Sequence, residues 1–491
     1  MSFAEVASSR MEAPLRGGAA RFALLIGLIL VYFLTYRHTI WIPRAGQLPE
    51  PLVLLPVSDM VWHSAGWLLF TALMLTLFVT SGRPRVAQSD LLYRRLAILA
   101  LGSAYAVTAG MRLATGRTFG LAELIGPGPF VAGAVIAVLV LAALIRRPPP
   151  TAWLLGIFLG AGVLLRLVLY RLIQPDVGFS DNLPAIELSL ERLMAGLTPY
   201  AIHDFGSHTN PMPYLPLTFL SYLPAHLLGV DIRLTNLLLT TALTIGLWRL
   251  FQAMPLPPTT RNGLALLAGL LFVLPERLSK DVYTEWQAFN LLLVLAFGLI
   301  VLGRLRAAAV LYGASLAAMP VALFVAPPLV LLAIRARPPA EVAVLAAIAA
   351  VVGGVPTLAF LLWDAEAFFT AFLFGTTGLW ASLAAGESVL PLLLWHGWLG
   401  GWLLVLQAAF VLIVAALSWT RLRTVRGLIA LAATLYLALI ITGPHIAQYM
   451  ATVVLYLALL TEAAAAAGVT AGDRALGRVA LVGARPAPQP A

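Results

Sequence analysis

Residues 152–172 read AWLLGIFLGAGVLLRLVLYRL, and residues 176–216, just beyond, read DVGFSDNLPAIELSLERLMAGLTPYAIHDFGSHTNPMPYLP. The first is apolar over the length that crosses a bilayer, since about 20 residues rising 1.5 Å each match a hydrocarbon core about 30 Å thick. The second gathers Asp176, Asp181, Glu187, Glu191, Arg192 and Asp204, with His203 and His208 among them. Further apolar runs lie near 20–36, 61–80, 96–112, 128–145, 232–251, 262–275, 286–303, 340–362, 397–417, 427–442 and 446–463. Between 307 and 334 another apolar stretch is broken by Pro320 and by Pro327–Pro328. The expected fold is all-α: a polytopic integral membrane protein of about 12–14 transmembrane helices.

Composition agrees. Of the 491 residues 61% are hydrophobic and 11% charged, with a mean hydropathy of +0.94. A membrane β-barrel would show short alternating segments instead. There is no cysteine, which excludes disulfides, zinc–thiolate sites and thiol nucleophiles. The net charge of +10 comes from arginines in short loops between apolar runs, a pattern of membrane orientation and not of nucleic-acid binding. Residues 1–18 are polar and do not read as a cleaved signal peptide. Three regions follow. Residues 1–150 hold four N-terminal spans of unknown role, 151–465 hold the long polar loops, and 466–491 are expected to be a disordered cytoplasmic tail.

The arginines set sidedness. The clusters Arg83/Arg85/Arg94/Arg95, Arg146/Arg147, Arg249/Arg261, Arg304/Arg306, Arg335/Arg337 and Arg421/Arg423/Arg426 are assigned to the cytoplasm. Residues 307–334 must then enter and leave on the cytoplasmic side, as a proline-broken hairpin or a pair of short helices. Residues 211–228 must begin and end outside, as a re-entrant or surface-lying segment rich in proline. All seven histidines then fall on or near the outer side, with most of the carboxylates. The active face is therefore expected to be extracytoplasmic.

Within 173–210, the spacing of Leu183, Ile186, Leu190, Leu193, Met194 and Leu197 predicts an amphipathic helix at the interface, ended by Gly196. Asp181 or Asn182 can cap it, and Pro184 suits its first turn. Asp181 reads either as that cap or as a carboxylate whose basicity is raised near the membrane surface. A second constellation is Glu276–Glu285, with Arg277, Lys280 and Asp281; Lys280 is the only lysine. Its cations can hold a lipid-linked phosphate, or its charges can pair with one another in a solvated loop. Further along, His445 and Tyr449 share one helical face, read as helix capping and interface anchoring or as sugar and phosphate binding. His396, between Trp395 and Trp398, reads as an aromatic belt or a carbohydrate platform. Asp176, Asp181 and His203 could together hold a divalent cation, Mg or Mn. No dinucleotide or phosphate-binding loop motif is present.

The order of motifs resembles the GT-C superfamily of membrane glycosyltransferases, most similar to its polyprenyl-phosphate-dependent mannosyl/hexosyltransferase branch (GT87-like). The resemblance covers roughly 150–465. It rests on a carboxylate after a span, then Gly196-Leu197-Thr198-Pro199-Tyr200, then Tyr214-Leu215-Pro216-Leu217. Asp231-Ile232-Arg233 before a helix, Glu285-Trp286-Gln287-Ala288-Phe289-Asn290, Trp363-Asp364-Ala365-Glu366-Ala367-Phe368 and Pro444-His445 follow in sequence. The chain departs from that pattern in a single proline at 214–217, in Met319 where lysine is common, and in four spans before the first long loop.

The resemblance implies a GT-C-like core with outer amphipathic helices. It also implies an inverting transferase that moves a mannose or another hexose or pentose from a polyprenyl-phosphate donor to a lipid or glycan acceptor. Asp181, with Asp176 in reserve, would be the general base. Lys280, Arg277, Arg233 and Arg192 would bind the donor phosphate. Tyr200, His203, Tyr214, Glu285, Gln287, His445 and Tyr449 would bind substrate. Nucleic acid is not expected as a partner; membrane lipids are. The alternatives are a transporter or flippase of a lipid-linked substrate and a catalytically inactive scaffold of the same shape. Inside the expected spans only Arg166 is a strong candidate for a pathway charge.

Overall fold

The computed structural model describes residues 27, 41–42, 90–115, 125–173, 182–205, 209–212, 214–377, 384–385, 409, 425–442 and 447–467. The expected spans 20–36, 61–80 and 397–417 lie outside the described residues except for Gly27 and Ala409.

The described chain is mostly helical. A two-residue strand β1 (Trp41–Ile42) pairs with Ala384–Ala385 far along the sequence. Helix α1 (Asp90–Thr115) packs on α2 (Pro127–Arg146), and α3 (Thr151–Leu172) follows. Asp90, in the first turn of α1, accepts hydrogen bonds from Thr151 at 3.1 Å and Asn262 at 3.0 Å, which ties the starts of three helices together. Then come α4 (Asn182–Met194), strands β2 (Ile202–Asp204) and β3 (Thr209–Pro211), and the short helices α5 (Pro216–Leu220) and α6 (Leu223–Leu227). The ribbon is antiparallel, with His203 opposite Asn210.

The remaining helices are α7 (Arg233–Ala253), α8 (Pro258–Val273), α9 (Pro275–Tyr283), α10 (Gln287–Val301), α11 (Leu305–Ala318), α12 (Ala326–Ala336), α13 (Pro339–Trp363), α14 (Ala365–Thr377), α15 (Val425–Thr442) and α16 (Ala447–Ala466). Helices α2, α3, α7 and α13 are long and apolar enough to cross a membrane. Helix α8 bends by 56° into α9, and the pair taken together would make a fifth such span. The break falls at Leu274, extended because Pro275 disfavours helical backbone before it.

The proline-broken hairpin is present. Helix α11 ends at Ala318, Pro320–Val325 form a 3-10 turn, and α12 returns. Leu305 and Ala308 at the start of α11, and Ala333 and Ala336 at the end of α12, line one apolar cavity of about 150 Å³. The two ends therefore lie at one level, with the beginnings of α13 and α15 (Val342, Val425) beside them. Those are the ends that carry Arg304, Arg306, Arg335, Arg337 and Arg426.

Two apolar cores result. The large one joins α1, α3, α7, α8, α10, α15 and α16. A smaller one unites Ile186 and Leu190 of α4 with Tyr200, Phe219, Tyr222 and Phe368. Residues 214–228 hold two short helices: α5 is largely buried, with the Thr218 hydroxyl donating to the Ala318 carbonyl at 2.6 Å, while α6 buries Ala225 and leaves Pro224, Leu227 and Leu228 exposed. Outward, α2 and α13 present bare apolar faces (Leu139 65%, Leu362 76% exposed), as helices facing hydrocarbon do. Helices α11 and α13 meet backbone to backbone. A Cβ on Gly313 would stand 2.5 Å from the Ala349 carbonyl oxygen, so only glycine allows this approach.

Candidate functional site

The expected amphipathic helix is α4, with Leu183, Ala185, Ile186, Ser189 and Leu190 buried. Gly196 closes it at φ 74°, and the Leu197 N–H reaches back to the Arg192 carbonyl at 2.9 Å. That is a Schellman ending, in which the left-handed position costs glycine least. Asp176 and Asp181 lie outside the described residues, as do His208, Trp395, His396, Trp398 and His445. Tyr449 sits on α16 in backbone terms.

Asn182, the first residue of α4, meets Glu285 from the connection between α9 and α10. The Tyr214 hydroxyl, the Trp286 indole N–H and the Asn182 side chain all hydrogen-bond the Glu285 carboxylate. Glu285 is 1% exposed, and its Oε2 has no hydrogen-bond partner among the described residues. Burial pushes this carboxyl up to about 7, against the three side-chain hydrogen bonds and one backbone hydrogen bond that favour its charge. A carboxyl group is thus held dry and half-satisfied, and it titrates close to physiological pH. Three segments that the motif order singled out, around 182, 214 and 285, converge on it.

Tyr200 stands beside this group. It is buried, its hydroxyl donates to the Tyr214 carbonyl at 3.1 Å, and its ring packs 4.7 Å from that of Phe368. Burial pushes its phenol far up. His203 on β2 lies 3.0 Å from the Ser189 hydroxyl of α4, is 7% exposed, and is pushed down to about 4 by burial and then by the Arg192 charge. It is a neutral imidazole at pH 7. No group of three acids or histidines able to hold a metal occurs among the described residues. The other two members of the expected set, Asp176 and Asp181, fall outside them.

The stretch 276–285 departs from one expectation. It is not a solvated loop: α9 is packed inside, with Arg277, Ser279, Asp281, Thr284 and Glu285 all buried. Its charges do pair, but with other helices. Arg166 of α3 places Nε and Nη2 2.7 Å from Asp281 Oδ2, donates from Nη1 to the Gly162 carbonyl at 3.0 Å, and lies 4.1 Å from the centre of the Phe272 ring. Gln287 donates to Asp281 Oδ1 at 2.8 Å, and Arg277 binds both Gln287 and, at 3.4 Å, Asp281. The Asn236 amide donates to the carbonyls of Asp281 and Thr284, and receives the Tyr222 hydroxyl at 2.6 Å. An arginine inside an apolar helix needs such a partner; the sequence marked Arg166 only as a candidate pathway charge, and folding supplies the acid 115 positions on. Asn182, read from sequence only as a cap, carried no comparable signal.

Among the expected phosphate ligands, Arg233 forms a bidentate pair with Asp231 and donates to the carbonyl of Tyr170 at 2.8 Å. It thereby caps the carboxyl end of α3, where a cation meets the negative end of the helix dipole. Arg192 is half-buried, with Nε on the Thr198 carbonyl at 2.9 Å. Lys280 lies on α9. No family model, no curated protein and no solved structure matches the chain.

Proposed function

We propose that this protein is an inverting glycosyltransferase of GT-C-like architecture. It moves a hexose or pentose from a polyprenyl phosphate to a lipid or glycan acceptor at the extracytoplasmic face of the cell membrane. The observation that carries this reading is the convergence of Asn182 and Tyr214 on the buried Glu285 carboxyl group, Asn182 following Asp181 directly in the sequence. Asp181 accepts the proton of the acceptor hydroxyl as its oxygen attacks the anomeric carbon. The bond from that carbon to the phosphate oxygen breaks, and its electron pair leaves with the polyprenyl phosphate. Arg233 and Arg277 are paired with carboxylates, whereas the contact of Arg192 is with the Thr198 carbonyl, so the phosphate is assigned to Arg192 together with Lys280.

The test is turnover of polyprenyl-phosphate mannose and related donors by the purified protein in lipid vesicles. A positioned base contributes about 10²–10⁴-fold, so Asp181→Asn should lose activity by that order while donor binding persists. Full activity in both Asp181→Asn and Asp176→Asn would refute the assignment of the base.

Transport of a lipid-linked substrate is a second reading, supported by the 56° bend between α8 and α9 and by the buried Arg166–Asp281–Arg277 group. It calls for substrate movement across sealed vesicles without any new glycosidic bond. A scaffold would show neither.

A further inference from the structure

A cavity of about 380 Å³ opens between the chain at Tyr200–Ile202 and the first turns of α14, lined there by Asp364, Glu366, Ala367 and Thr370. Its size lies within the range of about 300–1,000 Å³ in which small-molecule sites fall. The charged groups that line it are both carboxylates, so it repels phosphate and sulfate headgroups. Asp364 commits Oδ1 to the Ala367 N–H at 2.9 Å, capping α14, and its Oδ2 has no partner among the described residues. Glu366 and Thr370 are exposed. Two carboxylates and a hydroxyl form a surface of acceptors with one rotatable donor, the complement of a polyol.

An ammonium headgroup is the chemical rival, and the aromatic geometry disfavours it. The one aromatic ring in the lining, Tyr200, is only 1% exposed and is packed among Phe219, Phe360 and Phe368, so it offers no open face for a cation. Beside the cavity, Leu362, Trp363 and Phe369 are 76%, 47% and 48% exposed, an apolar rim at the end of a helix long enough to cross a bilayer. Exposed tryptophan at such an end marks the membrane–water boundary. An occupant that satisfies both surfaces has a neutral, hydroxyl-rich head and an apolar tail.

We propose that this cavity is the acceptor subsite and that it takes the neutral sugar or polyol headgroup of a membrane-anchored lipid. The assignment as acceptor rests on the glycosyltransferase reading above; the binding chemistry does not. Tyr200 joins the two regions, since its ring borders the cavity and its hydroxyl holds Tyr214, whose own hydroxyl reaches Glu285.

The test uses the full chain in lipid nanodiscs with three single-chain probes: octyl α-D-mannopyranoside, octyl phosphate and octyltrimethylammonium. Wild type is expected to bind the mannoside, with the affinity reduced at least tenfold by Thr370→Trp, which fills the cavity from an exposed position, and by Glu366→Gln. Octyl phosphate and octyltrimethylammonium should not compete. Equal mannoside binding in wild type and both variants, or equal binding of either charged probe, would overturn the proposal. Binding sensitive to Thr370→Trp in a protein that turns over no donor would sink the transferase reading alone. Turnover of a glycolipid acceptor indifferent to Thr370→Trp would sink the cavity alone.

Discussion

Arg166 and Asp281 are 115 positions apart in sequence, and the guanidinium of one lies 2.7 Å from the carboxylate of the other with neither side chain exposed at all. Breaking a buried pair from one side leaves an uncompensated charge, which costs about 3–5 kcal/mol. Arg166→Met and Asp281→Asn are each expected to lower the thermal midpoint sharply in detergent. The double variant should recover part of the loss, as a positive coupling in a double-mutant cycle. Strictly additive losses would mean that the two residues act separately.

Glu285 makes stability depend on pH. Its folded-state value, about 7, lies above that of an unfolded carboxyl, so the folded form holds the proton more tightly. That contribution is fully present below the unfolded value of about 4.3 and is lost as pH rises through about 7. The unfolding midpoint should fall between pH 5 and pH 8 in wild type. In Glu285→Gln this slope should flatten; an unchanged slope would remove Glu285 as its source.

His203 acts on the acid side with the opposite sign. Its folded value is pushed down to about 4, so it favours the fold above the unfolded value of about 6.5 and loses that contribution as pH falls toward 4. His203→Gln should resist acid unfolding between pH 6 and pH 4 better than wild type, relative to each protein at pH 7.5. Direct titration of the ring by NMR would check the cause.

Gly313→Val should fail to assemble α11 against α13. Its Cβ would meet backbone at 2.5 Å, and backbone cannot move aside as a flexible side chain can. Gly298→Ala is the contrast: its Cβ would meet the Leu250 methyl Cδ1, also under 3 Å, but a leucine can change rotamer. A loss of yield or of several degrees at Gly313 with a milder effect at Gly298 is expected from thermal melts in detergent.

Much of this was legible in the sequence because apolar length and proline are local signals. The ends of α3, α7 and α13 fall within two residues of the apolar runs, and Pro320 breaks the hairpin where it should. Gly196 ends α4 for a reason visible in one residue. The burial of Arg277, Ser279, Asp281, Thr284 and Glu285 was not legible. Periodicity weighs a residue against its neighbours in sequence, and the partners of Arg277 and Asp281 lie partly on α3, on α7 and at the start of α10. A charge-rich stretch reads the same in water as in a dry network until its partners are known. The Glu285 group shows the middle case. Its members stood out one by one, and only folding brought Asn182 and Tyr214 to the same carboxyl.

The capping of α3 by Arg233 has an evolutionary and practical corollary. Arg233 holds the carbonyls of Tyr170 and Ile173, 63 and 60 positions back, so the polypeptide leaves the helical bundle and returns to it at one clasp. Everything between those points forms a bounded cassette whose two ends stay fixed together. The cassette is also stitched to the bundle inside those ends, by Asn182 and Tyr214 at Glu285, Thr218 at Ala318 and Tyr222 at Asn236, so an exchange between related chains must carry these partners with it.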